Sequence, residues 1–154
     1  IGHMYRRGDG VPQRWNNAIA WYLKAAAKGS VAAMHWLGRI YGGLEDYPPD
    51  HGRAVTWLKK AAEEGDDESQ CNLGISFIRG LGVGVDDKAG AYWYRKAAER
   101  GNAWASYLLG LCYRDGTGVK QNKRSARRWF EKASRGGVRE AKKALKGMAT
   151  SKRK

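Results

Sequence analysis

Cysteine, proline and acidic residues are all scarce in this chain, and each shortage excludes something. Cys71 and Cys112 are its two cysteines, at non-equivalent points, so no disulfide framework follows from their spacing; both read as free, buried thiols. Three prolines against 21 glycines is not a low-complexity mixture, because the glycines fall at recurring positions and act as punctuation. No apolar run approaches the roughly 18 residues of a membrane span, and no secretory leader is visible. The chain begins inside a recurring unit, which predicts a piece of a longer protein and leaves the compartment open. Acidic side chains number 15 against 29 Lys and Arg, and the imbalance is local. Residues 120–154 hold 14 Lys/Arg against Glu131 and Glu140, a net +12, whereas the preceding 119 residues are nearly neutral.

What the chain has is a period. Trp21, Trp57, Trp93 and Trp129 stand 36 residues apart, each followed by a K-A-A-like run and a glycine at Gly29, Gly65, Gly101 and Gly137. A second register, Ile1-Gly2, Leu37-Gly38, Leu73-Gly74 and Leu109-Gly110, keeps the same spacing and is followed three residues on by Tyr5, Tyr41, Phe77 and Tyr113. A fixed period of this length is the mark of a solenoid, whose core is a strip buried between neighbours rather than a sphere. Each unit predicts two helices. The first (A) carries L-G-x-x-Y and the second (B) carries A-x-x-W-Y-x-K-A-A.

Ile1 to Arg7 reads as the end of an A helix, and Gly8 to Pro12 as a loop. Trp15–Lys28 reads as a B helix burying Ala18, Trp21, Tyr22, Ala25 and Ala26. A helices are expected at 33–41, 68–79 and 105–114. B helices are expected from caps at Asp50, Asp86 and Asn122. Arg14, at the equivalent point of the first unit, is a poor cap. Gly38 in mid-helix requires close approach of a partner helix, since glycine there costs about 1 kcal/mol against alanine. Leu44-Glu-Asp46-Tyr47 replaces the G-x-G-V loop and predicts a turn of different shape. The four register tryptophans are assigned to the core. The units run over about 1–32, 33–68, 69–104 and 105–137, with a capping helix at 138–149 and a basic tail at 150–154.

Ala105 to Gly137 meets A-x-x-x-L-G-x-x-Y-x-x-G-x-G-V-x-x-D-x-x-K-A-x-x-W-Y-x-K-A-A-x-x-G almost in full, and in this the chain resembles the Sel1-like repeat family. The resemblance covers about residues 1–145. It implies an all-α, right-handed solenoid of antiparallel helix pairs related to tetratricopeptide repeats. It also implies a non-enzymatic adaptor that holds another protein. The cysteine-rich branch of that family staples each repeat with a disulfide, and Cys71 and Cys112 do not fit its spacing.

No constellation for catalysis or metal binding stands out. His3, His35 and His51 make no dyad with either cysteine. Gly80–Lys88 lacks the G-K-[ST] ending of a phosphate loop. Asp66-Asp67-Glu68 lacks calcium-loop spacing and reads as a solvated turn before a helix. Arg7-Gly8-Asp9 spells an adhesion tripeptide, but Gly8 is the loop glycine of its unit. No catalytic residue, cofactor or metal is assigned.

By analogy with tetratricopeptide arrays, A-helix residues flanking the L-G pair line the concave groove. This singles out Arg6, His35, Trp36, Arg39, Asn72, Ile75, Arg79, Tyr107, Leu111 and Arg114 for a partner protein or peptide carrying carboxylates, which arginine pairs with bidentately. Lys123, Arg124, Arg127, Arg128 and Lys132 with Arg139, Lys142, Lys143 and Lys146 form a basic patch. That patch either caps and solubilises the array or docks an acidic partner. Nucleic acid or another anionic surface is the alternative ligand for residues 120–154. An immunity-type role, neutralising a secreted effector, is compatible with the fold. A monomer is expected.

Overall fold

The computed structural model describes residues 2–7, 15–44 and 47–150, and within them it is all helix and connecting turns. The loop at Gly8–Pro12, the Arg14 cap, the Arg7-Gly8-Asp9 tripeptide as a whole, Glu45-Asp46 and the end of the basic tail lie outside the described residues. The A helices are α1 (Gly2–Arg7), α3 (Val31–Tyr41), α5 (Asp67–Arg79), α7 (Ala103–Asp115) and α9 (Arg139–Thr150). The B helices are α2 (Trp15–Ala27), α4 (His51–Glu63), α6 (Asp87–Glu99) and α8 (Lys123–Arg135). Each helix packs on its chain neighbours, and α3 also touches α5, so the units stack as a solenoid.

Caps set the boundaries. Asp50, Asp86 and Asn122 start the B helices, each side chain accepting from the backbone N–H three residues on. The A helices begin two residues before 33 and 105, and one before 68, because Ser30, Asp66 and Asn102 cap them the same way. Gly29, Gly65, Gly101 and Gly137 end or follow the B helices at φ between +83° and +104°. The turn after α3 does differ: α3 ends at Tyr41 with Gly42 at φ −75°, whereas α5 and α7 run two residues further to left-handed Gly80 and Gly116.

The helix glycines mark where A meets B. A Cβ on Gly38 would lie 2.7 Å from Leu58, on Gly74 2.6 Å from Tyr94, and on Gly110 2.6 Å from Phe130. The side chain that fills the glycine's gap is the one after each register tryptophan. Leu58, Tyr94 and Phe130 are all under 5% exposed. The tryptophans themselves are corrected from core to flank. Trp21 is 39% exposed, and Trp57, Trp93 and Trp129 are half-buried. A lysine three residues on covers three of the four rings: Lys24 on Trp21, Lys60 on Trp57 and Lys132 on Trp129, at 4.4–5.2 Å from ring centre to nitrogen. Helical geometry explains the difference: adjacent residues point 100° apart, and the glycine gap admits one of them.

Cys71 and Cys112 are free and buried, as expected. Burial, reinforced by neighbouring carboxylates, pushes the Cys71 thiol up to about 12 and the Cys112 thiol to about 11. Both are held toward the neutral thiol, the less nucleophilic form.

Candidate protein-interaction surface

One stripe of each A helix recurs from repeat to repeat. Trp36 and Arg39 on α3, Asn72 and Ile75 on α5, and Leu108 and Leu111 on α7 occupy equivalent positions 36 residues apart. All six are half-buried. Trp36, Ile75, Leu108 and Leu111 pack against the core on one side, while part of each of the six stays open. Trp36 is the most elaborated. The guanidinium of Arg6 sits 4.5 Å from its ring centre and that of Arg39 4.9 Å. His3 and His35 stand edge-on to it, and Tyr22 lies nearly parallel at 6.4 Å. Arg39, Asn72 and Ile75 line one cleft of about 280 Å³ between α3, α4 and α5.

The other sequence-assigned groove residues go elsewhere. Arg6 and His35 are each 7% exposed. Tyr107 packs against the core formed by α8 and α9, with its ring 5.8 Å from Phe130. Arg79 is exposed at the end of α5. Arg114 is exposed and held bidentately by Asp115, at 2.7 Å through each of two nitrogens. Each member of the pair stabilises the other's charged form. Arg39, Arg79 and Arg114 therefore occupy three different settings rather than one row. The reason is in the numbers: they are not 36 residues apart.

His35 reports something the spacing did not. Its Nδ1 lies 3.1 Å from Asp66 Oδ1 and 3.0 Å from Ser69 Oγ, and its Nε2 lies 3.2 Å from Glu68. Asp66 also caps α5 through the Ser69 N–H at 2.7 Å. The acidic turn at 66–68 is thus a joint between α3 and α5 rather than a solvated loop. Asp67 extends it by accepting from Asn102, the cap of α7, at 2.9 Å. Partial burial works to raise the Asp66 carboxyl, but hydrogen bonds from His35 and Ser69 outweigh it and bring it from 3.8 to about 2. A carboxyl depressed on folding stabilises the fold above its unfolded value and loses that contribution as pH falls through its folded one. The joint should weaken between about pH 4 and pH 2. Asp66→Asn keeps the cap but loses the charge. Urea midpoints measured across pH should show it less stable by roughly 1 kcal/mol at neutrality, with a flatter decline below pH 4. An unchanged acid limb would remove the joint.

At the C-terminal end, Lys123, Arg124, Arg128, Arg139, Lys142, Lys143 and Lys146 are exposed, and Arg127 and Lys132 half-buried. Ala126, Phe130 and Ala133 fill the opposite side of α8 at 0% exposure. Lys132 is committed inside the fold: its ammonium donates to the Ala98 carbonyl at the end of α6 and rests over Trp129. Arg95, Arg128 and Arg135 rim a cleft of about 480 Å³ with Tyr113 and Trp129. Among the described residues no His/Cys/Asp/Glu group is arranged to hold a metal ion, and no helix is long and apolar enough to cross a membrane.

Leu108 shares the register of Trp36 and Asn72 one residue before the Leu-Gly pair. Trp104, a tryptophan the repeat does not demand, is 44% accessible and lies against Tyr107.

Stacked A–B hairpins, a buried strip between units and a half-open A-helix stripe define an α-helical repeat scaffold. The chain belongs to the Sel1 repeat family, whose model matches residues 1–30, 31–66, 67–102 and 105–138. Proteins of this family are generally protein-interaction scaffolds without catalytic activity. No curated protein matches the chain. Among solved structures, c5321, a protective antigen present in uropathogenic Escherichia coli strains and displaying an SLR fold, is 37% identical with a TM-score of 0.91. That match covers 96% of this chain and 32% of the antigen. A Sel1 repeat protein from Oxalobacter formigenes is 34% identical with a TM-score of 0.87, over 94% of this chain and 60% of that one. Helicobacter pylori cysteine rich protein B is 26% identical with a TM-score of 0.68, over 84% and 93%. The chain therefore spans about a third and about three-fifths of the first two.

Proposed function

We propose that this chain is a non-enzymatic scaffold that binds a partner protein along the A-helix stripe, with the basic end favouring acidic partners. The observation that carries the reading is the ladder Trp36/Arg39, Asn72/Ile75, Leu108/Leu111, half-buried at every rung. Side chains already fixed by packing lose little rotamer freedom on binding, which is what makes an interface hot spot. Trp and Arg, the residues most enriched at such centres, meet at the first rung.

The test is a titration of the partner captured from the native host against Trp36→Ala, Arg39→Ala and Ile75→Ala. Each is expected to weaken binding about tenfold or more, corresponding to roughly 1.4 kcal/mol or above, with helical content unchanged. Full affinity in all three would remove the stripe from the interface.

A second reading is nucleic-acid or anionic-surface binding through residues 120–154. It draws on eight exposed cations on α8 and α9. It predicts steep salt dependence and little sequence preference.

A further inference from the structure

The cleft between α3, α4 and α5 has a counterpart two repeats later. Moving 72 residues along carries Gly42, His51, Asn72 and Ile75 onto Arg114, Lys123, Ala144 and Gly147. In the unit between them, the same places hold Ile78, Leu108 and Leu111. Ile78 and Leu108 pack into that unit's core, and Leu111 packs against the next. At the C-terminal unit these three bulky apolar side chains give way to Arg114, Ala144 and Gly147. The consequence is a cleft of about 710 Å³, against about 280 Å³ at the first unit. Among the described residues a Cβ on Gly147 would meet nothing within 4 Å.

Its walls are of two kinds. Ala144 and the flexible, half-buried Met148 form an apolar floor, while Lys123, Arg124 and Arg127 stand on α8 at the rim with Arg114. Arg114 is matched by Asp115, but none of the other three makes an ion pair among the described residues. The first turn of α8 also carries no acidic residue, so its positive end faces two cations. The equivalent turn of α6 carries Asp87. This concentration of unmatched positive charge costs free energy until carboxylates enter.

We propose that this cleft receives an apolar side chain of a partner peptide flanked by carboxylates, the side chain resting on Met148 and Ala144 and the carboxylates paired to Lys123, Arg124 and Arg127. The proposal rests on the scaffold reading and adds a specificity pocket to it. A peptide fits the walls better than a nucleic acid does. Among the described residues the lining has no aromatic ring on which a base would stack. Arginine pairs with carboxylates bidentately, and methionine adapts to an incoming apolar group.

The experiment uses the full chain and a fluorescein-labelled hexapeptide, Glu-Asp-Leu-Leu-Asp-Glu, followed by anisotropy at low salt. The peptide should bind, and its Ser-Ser counterpart about tenfold more weakly. Ala144→Leu with Gly147→Leu restores the filling of the preceding unit. Leucine is favoured over glycine in a helix and a Cβ on Gly147 meets no described residue, so the protein should keep its helical content while peptide affinity falls at least tenfold. Arg124→Glu with Arg127→Glu should abolish binding. Trp36→Ala with Ile75→Ala should leave this peptide's affinity unchanged, which separates the pocket from the stripe. Any of four results overturns the proposal: no binding of the Leu-Leu peptide, equal binding of the Ser-Ser peptide, insensitivity to the leucine pair, or displacement by a single-stranded oligonucleotide or by phosphatidylglycerol vesicles that the leucine pair does not affect.

Discussion

Gly118→Ala is expected to destabilise the protein by about 3 kcal/mol, a fall in melting temperature of roughly 6–12 °C for a chain of this size. Two causes add. Gly118 sits at φ +66°, where an L side chain costs on the order of 1–2 kcal/mol. Its Cβ would also overlap the Asp87 carbonyl and the Lys88 nitrogen, backbone atoms at the start of α6 that cannot turn aside. Overpacking of that kind costs typically 1–3 kcal/mol. The loop of one repeat thus rests its glycine on the first turn of the B helix before it. Gly82 makes the same contact with His51 and Gly52 at the start of α4. Gly101 is the control: its φ is +104°, but a Cβ there meets nothing within 4 Å. Gly101→Ala should therefore show the backbone cost alone, about 1 kcal/mol. Equal midpoints for the two variants in urea would show that the loop does not couple the repeats.

Those glycines show what the sequence could and could not disclose. The 36-residue recurrence of Leu-Gly and of Trp located the A and B helices to within two residues, because a period repeated four times averages out local ambiguity. It disclosed that Gly38 needs a close neighbour, but not which one. Leu58 and Trp57 are adjacent in sequence, and only the packed hairpin decides that the first enters the gap while the second lies on the flank. The joint of His35 with Asp66 and Glu68 was hidden for another reason. It links residues 31 and 33 apart that occupy unlike positions in their repeats, so no self-comparison of the sequence aligns them. The half-open ladder was partly legible: Trp36, Asn72 and Ile75 follow from register. The same register, read one step further to Ala144 and Gly147, would have pointed to the enlarged C-terminal cleft. Arg39, Arg79 and Arg114 flank the Leu-Gly pairs but at unlike positions in their repeats, so each takes its own setting.

The second large effect concerns the A–B seam itself. Phe130 is 0% exposed and faces Gly110, so Phe130→Ala should cost about 3–5 kcal/mol, the range for emptying a buried aromatic site. Gly110→Ala adds a methyl group 2.6 Å from two atoms of the same ring. Helix propensity alone predicts a gain of about 1 kcal/mol for that change. The overlap with Phe130 should reverse the sign and give a net loss of roughly 1–2 kcal/mol. In the Phe130→Ala background the overlap is gone, and the same methyl group should stabilise. The double-mutant cycle in urea should therefore show a coupling of about 2 kcal/mol, with Gly110→Ala changing sign between the two backgrounds. Because a solenoid is held by nearest-neighbour contacts, the loss should be confined in space. Amides of α8 and α9 should exchange faster in Phe130→Ala while those of α3 to α5 keep their protection, as read by hydrogen exchange. Additive effects, or exchange accelerated evenly from α3 to α9, would mean that the helix glycine is not paired with the ring it faces and that the array melts as a single block.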